Sequence, residues 1–320
     1  MRLFHGADYK FIEKRRVAYA FSGILVLTGL IAMAVNVRSI GSWVNYGIDF
    51  TGGSLVQVRF AQPTTEGDLR AALGGSATLE ISRFGEAELN EFVVRAPLEE
   101  GMSITEVAEQ IEARIAANLP GRDFEVVRTE LVGAKVGSEL QEKAASAIVL
   151  SLFLTLVYLA VRFELRFGLA AVIATAHDIL ITLGLVALFR LEVALPTVAA
   201  ILTVLGYSLN DTIVVFDRIR ENLHMKGARK REPIDLVNQS INETLPRTVL
   251  TSGTTLVVLF ALLAFGGPVI RDFTIVLILG ILFGTYSSIF IASPALIEIQ
   301  KRWGMGRIAE PKKKPEPATA

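Results

Sequence analysis

The sequence predicts a polytopic α-helical membrane protein: six transmembrane helices, with an extracytoplasmic ferredoxin-like α+β domain between helices 1 and 2. Three observations carry this. Several apolar runs reach the ~20 residues that a membrane helix needs. Residues 38–139, between the first two runs, are polar, carry an acidic excess and alternate like a small α+β unit. Basic residues gather on only one set of flanks and loops. Composition alone decides less. At 52% hydrophobic the chain lies barely above the ~45–50% of soluble domains. The 32 basic and 32 acidic residues cancel, and no nucleic-acid partner is expected. The absence of cysteine excludes disulfides and thiolate metal sites.

Residues 1–16 carry Arg2, Lys10, Lys14, Arg15 and Arg16, which predicts a cytoplasmic N-terminus. Residues 17–37 are the first span. Ala32-Met33-Ala34 looks like a cleavage site, but the apolar run exceeds the ~7–15 residues of a signal-peptide core, so an uncleaved helix is expected. Within 38–139, Ser54 to Ala61 alternates with period two and reads as a strand. Thr64 to Leu73 reads as a helix capped by Thr64 or Thr65. Ala77–Phe84 and Glu91–Leu98 read as a hairpin, Ser103 to Glu106 as a capping box opening a helix that stops near Pro120, and Phe124–Val132 as the last strand. The order βαββαβ is ferredoxin-like. Nothing in this domain looks catalytic.

Two glycine motifs flank the domain. Residues 47–53 (GIDFTGG) hold Asp49, Phe50, Gly52 and Gly53; residues 132–137 (VGAKVG) hold Gly133 and Gly137. Glycine permits positive φ and close backbone approach, so both are expected to be structural hinges. The Gly-x-Gly-x-x-Gly spacing of a phosphate loop is absent.

Residues 140–300 hold five more spans, at 144–161, 167–189, 193–216, 248–265 and 273–297. Residues 217–247 are expected to be a polar cytoplasmic loop that opens with a solvated helix start at Asp217–Glu221 and carries Arg218, Arg220, Lys226, Arg229, Lys230 and Arg231. Residues 301–320, rich in Pro, Lys and Ala, are expected to be a disordered cytoplasmic tail. The positive-inside rule then closes on one topology, with both termini cytoplasmic and the large domain outside.

The polar residues inside the spans are few. His177 and Asp178 lie in the third, Asn210 and Asp211 in the fourth, and Arg247 opens the fifth. A carboxylate at the bilayer centre costs at least ~2.5–3.5 kcal/mol, so Asp211 is a functional candidate by default. Asp211 and Arg247 should lie near one membrane face if their helices are neighbours. A carboxylate beside a movable guanidinium can take up a proton from water and release it again as the helix arrangement changes, because burial and the cation act oppositely on it. Arg247 could equally snorkel to headgroups, and His177-Asp178 could be a local packing pair. Gly280 and Gly284, followed by Ser287, Ser288 and Ser293, mark a close helix contact on the sixth span. Two other classes are open: an intramembrane aspartyl protease using Asp178 and Asp211, and a scaffold that only stabilises a channel. The first would need the two aspartates paired.

Taken in order, GIDFTGG, VGAKVG, AHD at 176–178, GYSLNDTIVVFDRIREN at 206–222, INETLPRTVLTS at 241–252 and SSIFIASP at 287–294 resemble the SecD/SecF family of bacterial protein-export membrane proteins. The resemblance runs from about Asp49 to Pro294. It implies half of a resistance-nodulation-division-type transporter in the bacterial inner membrane, with no enzyme activity. It implies a SecD partner half, association with the SecY-SecE-SecG channel, and export of unfolded preprotein driven by the proton motive force. Protons would be the coupling ion and no cofactor is implied. Asp211 and Arg247 match the family's proton-pathway positions.

Overall fold

The computed structural model describes residues 8–74, 79–85, 87–96, 104–225 and 232–303. The first long helix, α1 (Arg15–Ile40), stops at Gly41, whose φ of 75° a side chain would resist. A two-residue strand β1 (Asn45–Tyr46) and a single helical turn α2 (Ile48–Thr51) lead into the α+β domain. The domain runs β2 (Gly53–Phe60), α3 (Glu66–Ala72), β3 (Glu80–Phe84), β4 (Glu91–Ala96), α4 (Ile104–Asn118) and β5 (Phe124–Val132). Its sheet has the order β3-β4-β2-β5 and every pairing is antiparallel. This is the βαββαβ unit that the alternation predicts.

The domain's core is Val56, Val58, Phe60 and Phe92 from the sheet against Leu69, Leu73, Ile111 and Ile115 from the helices. Each such side chain contributes about 1.5–3 kcal/mol by burial. The period-two pattern fails in β2, where only Arg59 is exposed. The reason is a second, smaller cluster: Ile48 of α2 covers Leu55 and Val93 on the other face. Thr65 caps α3 and shares a full capping box with Asp68. The expected capping box at Ser103, and the ends of the hairpin at Ala77 and Leu98, lie outside the described residues, as do Lys226, Arg229 to Arg231 and the tail from 304.

Five further long helices follow: α5 (Ala134–Arg162), α6 (Leu165–Leu188), α7 (Leu195–His224), α8 (Pro233–Phe265) and a last span that breaks into α9 (Arg271–Ser287), a π-helical segment at Ser288–Ala292, and α10 (Ser293–Trp303). Among the described residues, six helices are long and apolar enough to cross a membrane. The bundle core is formed by α6, α7 and the last span, while α1 and α5 expose most of their length, as apolar helices in lipid can.

Three expectations are corrected. Residues 217–247 are mostly helix: α7 runs on through Asp217–Glu221 to His224, and α8 already begins at Pro233, so Arg247 sits inside a helix rather than opening one. The extension stays helical because its inner face is buried, with Ile219 and Asn222 on α7 meeting Ser240 and Ile241 on α8. Helix α5 starts ten residues before the predicted span, at Ala134 rather than 144. Gly133 is the N-cap of α5, with φ −69°, and Gly137 lies within α5, so neither uses the positive φ expected of a hinge. A Cβ on Gly137 would lie 2.7 Å from the carbonyl oxygen of Phe50; the residue is glycine because α2 passes there.

Candidate functional site

The site begins with two glycines. Helices α7 and α9 meet so closely that a Cβ on Gly280 would lie 2.1 Å from a methyl of Val204, and one on Gly284 3.0 Å from Ser208. This is small-xxx-small packing, and the expected role of the sixth span stands. It brings Ser208 of α7 and Ser287 of α9 to the same point. Both hydroxyls donate to Oδ2 of Asp178 on α6, at 2.5 and 2.6 Å. Oδ1 of Asp178 is 2.9 Å from Nδ1 of His177. Asp178 is fully buried and joins three helices.

Asp211 lies one turn beyond Ser208 on α7 and is 2% exposed. It has a thinner shell. Ser252 of α8 donates to its Oδ2 at 3.2 Å, and the same hydroxyl is 2.7 Å from that of Thr285 on α9. Arg247 stands at the flank, exposed on α8, and no ion pair joins it to Asp211 among the described residues. Asn210 is exposed on the surface of α7 and takes no part in this shell. Buried hydroxyls of Thr182, Thr212 and Thr248 have no partner among the described residues, so the polar interior has hydrogen-bonding capacity to spare. His177 stacks on Tyr286, and its Nε2 is buried without a described partner.

The structure therefore brings together Asp178, His177, Ser208 and Ser287 in one cluster, and Asp211, Ser252 and Thr285 in a second. The two carboxylates share no hydrogen bond, so the paired geometry of an aspartyl protease is not formed. Sequence reasoning missed Ser208, Ser252 and Thr285. Ser208 carried a readable signal, its i−3 spacing from Asp211; single hydroxyls in apolar helices otherwise do not stand out.

The first glycine motif is not slack. Strand β1 pairs in parallel with β6 (Glu192–Val193), just before α7. Asp49 accepts the N–H of Leu195, the first residue of α7, at 2.8 Å. The carbonyl of Phe50, whose ring is buried, accepts from the Gln141 amide of α5 at 2.9 Å. Gly52 and Gly53 follow with φ of 73° and 122°, and β2 starts there. One ion pair, Arg95 to Glu192, ties the sheet to the same end of the bundle.

These features define an integral membrane protein: a six-helix bundle with carboxylates in its interior and an α+β domain inserted after the first helix. Residues 112–302 match the protein export membrane protein SecD/SecF C-terminal family, and residues 40–64 match the SecD/SecF GG motif. The chain is 45% identical to the protein translocase subunit SecF of Desulfurispirillum indicum, over 96% of both chains. It is 43% identical to that of Gemmatimonas aurantiaca, over 95% of this chain and 90% of the relative. The crystal structure of SecDF, a translocon-associated membrane protein from Thermus thermophilus, superposes with a TM-score of 0.79 at 37% identity, covering 94% of this chain and 40% of that one. The chain belongs to the SecD/SecF family of protein-export membrane proteins.

Proposed function

We propose that this chain is the SecF-type half of a proton-driven device that assists export of unfolded preproteins. Asp211 carries the reading: a buried carboxylate in a membrane helix, held by one hydroxyl, with a guanidinium close enough to act but not bonded to it. Protonated, Asp211 needs little from its surroundings. Ionised, it needs Arg247 or water to offset desolvation. The two states favour different helix arrangements, which a proton gradient can cycle. Each proton brings about 2.3 kcal/mol per 100 mV of membrane potential, enough to bias a two-state rearrangement.

The partner is a SecD half. The chain accounts for 40% of the SecDF chain it resembles, and Asn210 and Arg247 are polar groups left on the outside of membrane helices, where a second half would cover them. The pair works beside the SecY-SecE-SecG channel in the bacterial inner membrane, as a transport subunit rather than an enzyme, with protons as its only coupling species and no cofactor. The N-terminus and the α7–α8 junction lie in the cytoplasm and the α+β domain outside. In support, the backbone N–H groups of Tyr9 and Ile12 donate to Asn242 and Asn238 at the start of α8, which puts the basic N-terminus beside the basic junction. The α+β domain moves as a body. The chain superposes less well, at a TM-score of 0.65 and 38% identity, on SecDF in a form named super-membrane-facing, which fits a change in how the parts are arranged.

The test is export into vesicles, with and without a proton gradient. Asp211→Asn mimics the protonated form, so it assembles normally while the gradient-stimulated component falls to background. Asp211→Glu keeps part of it. Gradient-stimulated export by Asp211→Asn equal to the parent's would remove the proton-relay reading.

A further inference from the structure

Asp49 reaches across 146 residues of sequence to accept the first N–H of α7. That N–H is one of the four that a helix cannot satisfy from within, and a carboxylate there also complements the positive end of the helix dipole. Helix α7 has no side-chain cap of its own that reaches Leu195; Thr197 serves the N–H of Ala194 instead. The next residue, Phe50, is wedged against α5: its carbonyl accepts from Gln141, and Gly137 leaves no space for even a methyl group. So α2 is seated against α5 and α7 through Phe50 and Asp49, while Ile48 packs on Leu55 and Val93 of the sheet, and it bridges bundle and domain. Immediately after it, Gly52 and Gly53 turn the chain into β2, where Gly53 pairs with Val132 of β5, the strand that returns to α5. The α+β domain thus hangs from two neighbouring strands, and β2 leads directly to Asp49.

We infer that Asp49 couples the position of the α+β domain to α7, the helix that carries Asp211. The domain pulls on α2, and Asp49 hands the displacement to the first turn of α7. Leu195 and Asp211 are about 24 Å apart along a helix with a rise of 1.5 Å per residue, and between them, at Val204 and Ser208, the helix packs closely on Gly280 and Gly284 of α9. A helix held in this way shifts as a rod, and a small axial shift changes the register of Asp211 against Ser252 and Arg247. Asp49 is a positioning residue: it touches neither the proton nor the preprotein. The inference rests on the reading of Asp211 as a group that gains and loses a proton.

The experiment uses the full chain with its partner half in membrane vesicles. Arg95→Cys and Glu192→Cys replace the existing domain-to-bundle ion pair, and a short bis-maleimide then locks the domain in place; the chain has no other cysteine to interfere. The readout is modification of Asp211 by a hydrophobic carbodiimide, mapped by peptide and followed against pH; the protonated carboxyl gives its proton to a carbodiimide nitrogen and its oxygen adds to the carbodiimide carbon, so only the acid form reacts. The charged group facing Asp211 is Arg247 of α8; the other carboxylate of the interior, Asp178 on α6, is read on its own peptide. Locking is expected to shift half-modification by about tenfold in proton concentration, within the usual range of coupling between sites. With Asp49→Ala the lock no longer shifts it. With Asp49→Asn, an equally good N-cap acceptor, the shift remains. An equal shift in Asp49→Ala, no shift in the parent, or Asp49→Asn behaving as Asp49→Ala overturns the inference. A shift in the parent combined with gradient-stimulated export by Asp211→Asn would remove the proton-relay reading and leave the coupling in place.

Discussion

Asp178 and Asp211 are close together in the same bundle, yet their surroundings differ. Asp178 has two serine hydroxyls and an imidazole, drawn from α6, α7 and α9. Asp211 has one described hydroxyl, and Arg247 at the flank is not bonded to it. A fully bonded buried polar group fixes the elements around it, whereas a partly bonded one leaves its arrangement open to change. The comparison assigns Asp178 to holding the bundle and Asp211 to switching it.

The largest expected effect is structural. Asp178→Ala orphans Ser208 and His177 in a dry interior, at on the order of 2–5 kcal/mol. The yield of assembled complex and its thermal midpoint in detergent should both fall, and Asp178→Asn, which keeps an acceptor oxygen, should lose much less. If Asp178→Ala assembled normally and lost only gradient-driven export, the two aspartates would have to exchange roles. Next comes Gly280→Ala. Its methyl would meet Val204 at 2.1 Å, forcing α7 from α9 at about 1–3 kcal/mol. Adding Val204→Ala should restore the midpoint, which shows that the contact and not the glycine itself matters.

Ser252→Ala sharpens the comparison from the other side. It removes the one described hydroxyl on Asp211, so stability should change by about 1 kcal/mol or less. Gradient-stimulated export should fall severalfold in the vesicle assay; an unchanged response would mean that Ser252 does not set the state of Asp211. The smallest effect concerns a carboxylate outside the membrane. The Arg122 guanidinium, with the Thr65 cap, holds Asp68 below the usual carboxylate range. A lowered value means stability that is present at neutral pH and lost as pH falls through it. Arg122→Gln should therefore start slightly less stable and lose less on acidification, read as amide-exchange protection factors in α3 near pH 7 and pH 3.

What the sequence made legible follows from where polar and apolar residues differ. The α+β order was readable because turn residues punctuate it, and β5 was bounded correctly at Phe124–Val132. The spans were readable as apolar runs. The helix start at Asp217–Glu221 was readable, but the helix Pro233–Arg247 was not, because a polar helix and a polar loop have the same hydropathy; only the buried face at Leu236 and Ile241 separates them. Asp211 was readable because its cost in lipid is visible from composition. Its partners were not, since Ser252 and Thr285 become a site only when α8 and α9 bring them to α7. The second glycine motif misled for a related reason: Gly137 signals close approach as readily as freedom, and only the neighbour, Phe50, tells which, whereas Gly52 and Gly53 take the positive φ expected of them.

The π segment at Ser288–Ala292 sits directly after Ser287, the hydroxyl that binds Asp178. Pro294 has no N–H to return to the preceding turn, and the hydroxyl of Ser293 donates to the carbonyl of Ser288. The sixth span therefore carries one residue more than an α-helix of its length would hold. Returning that turn to α geometry would rotate everything after it by about 100°, one residue's share of a 3.6-residue turn. The π segment thus fixes the angle at which α10 leaves the serine that anchors Asp178, offset by one residue from an unbroken α-helix.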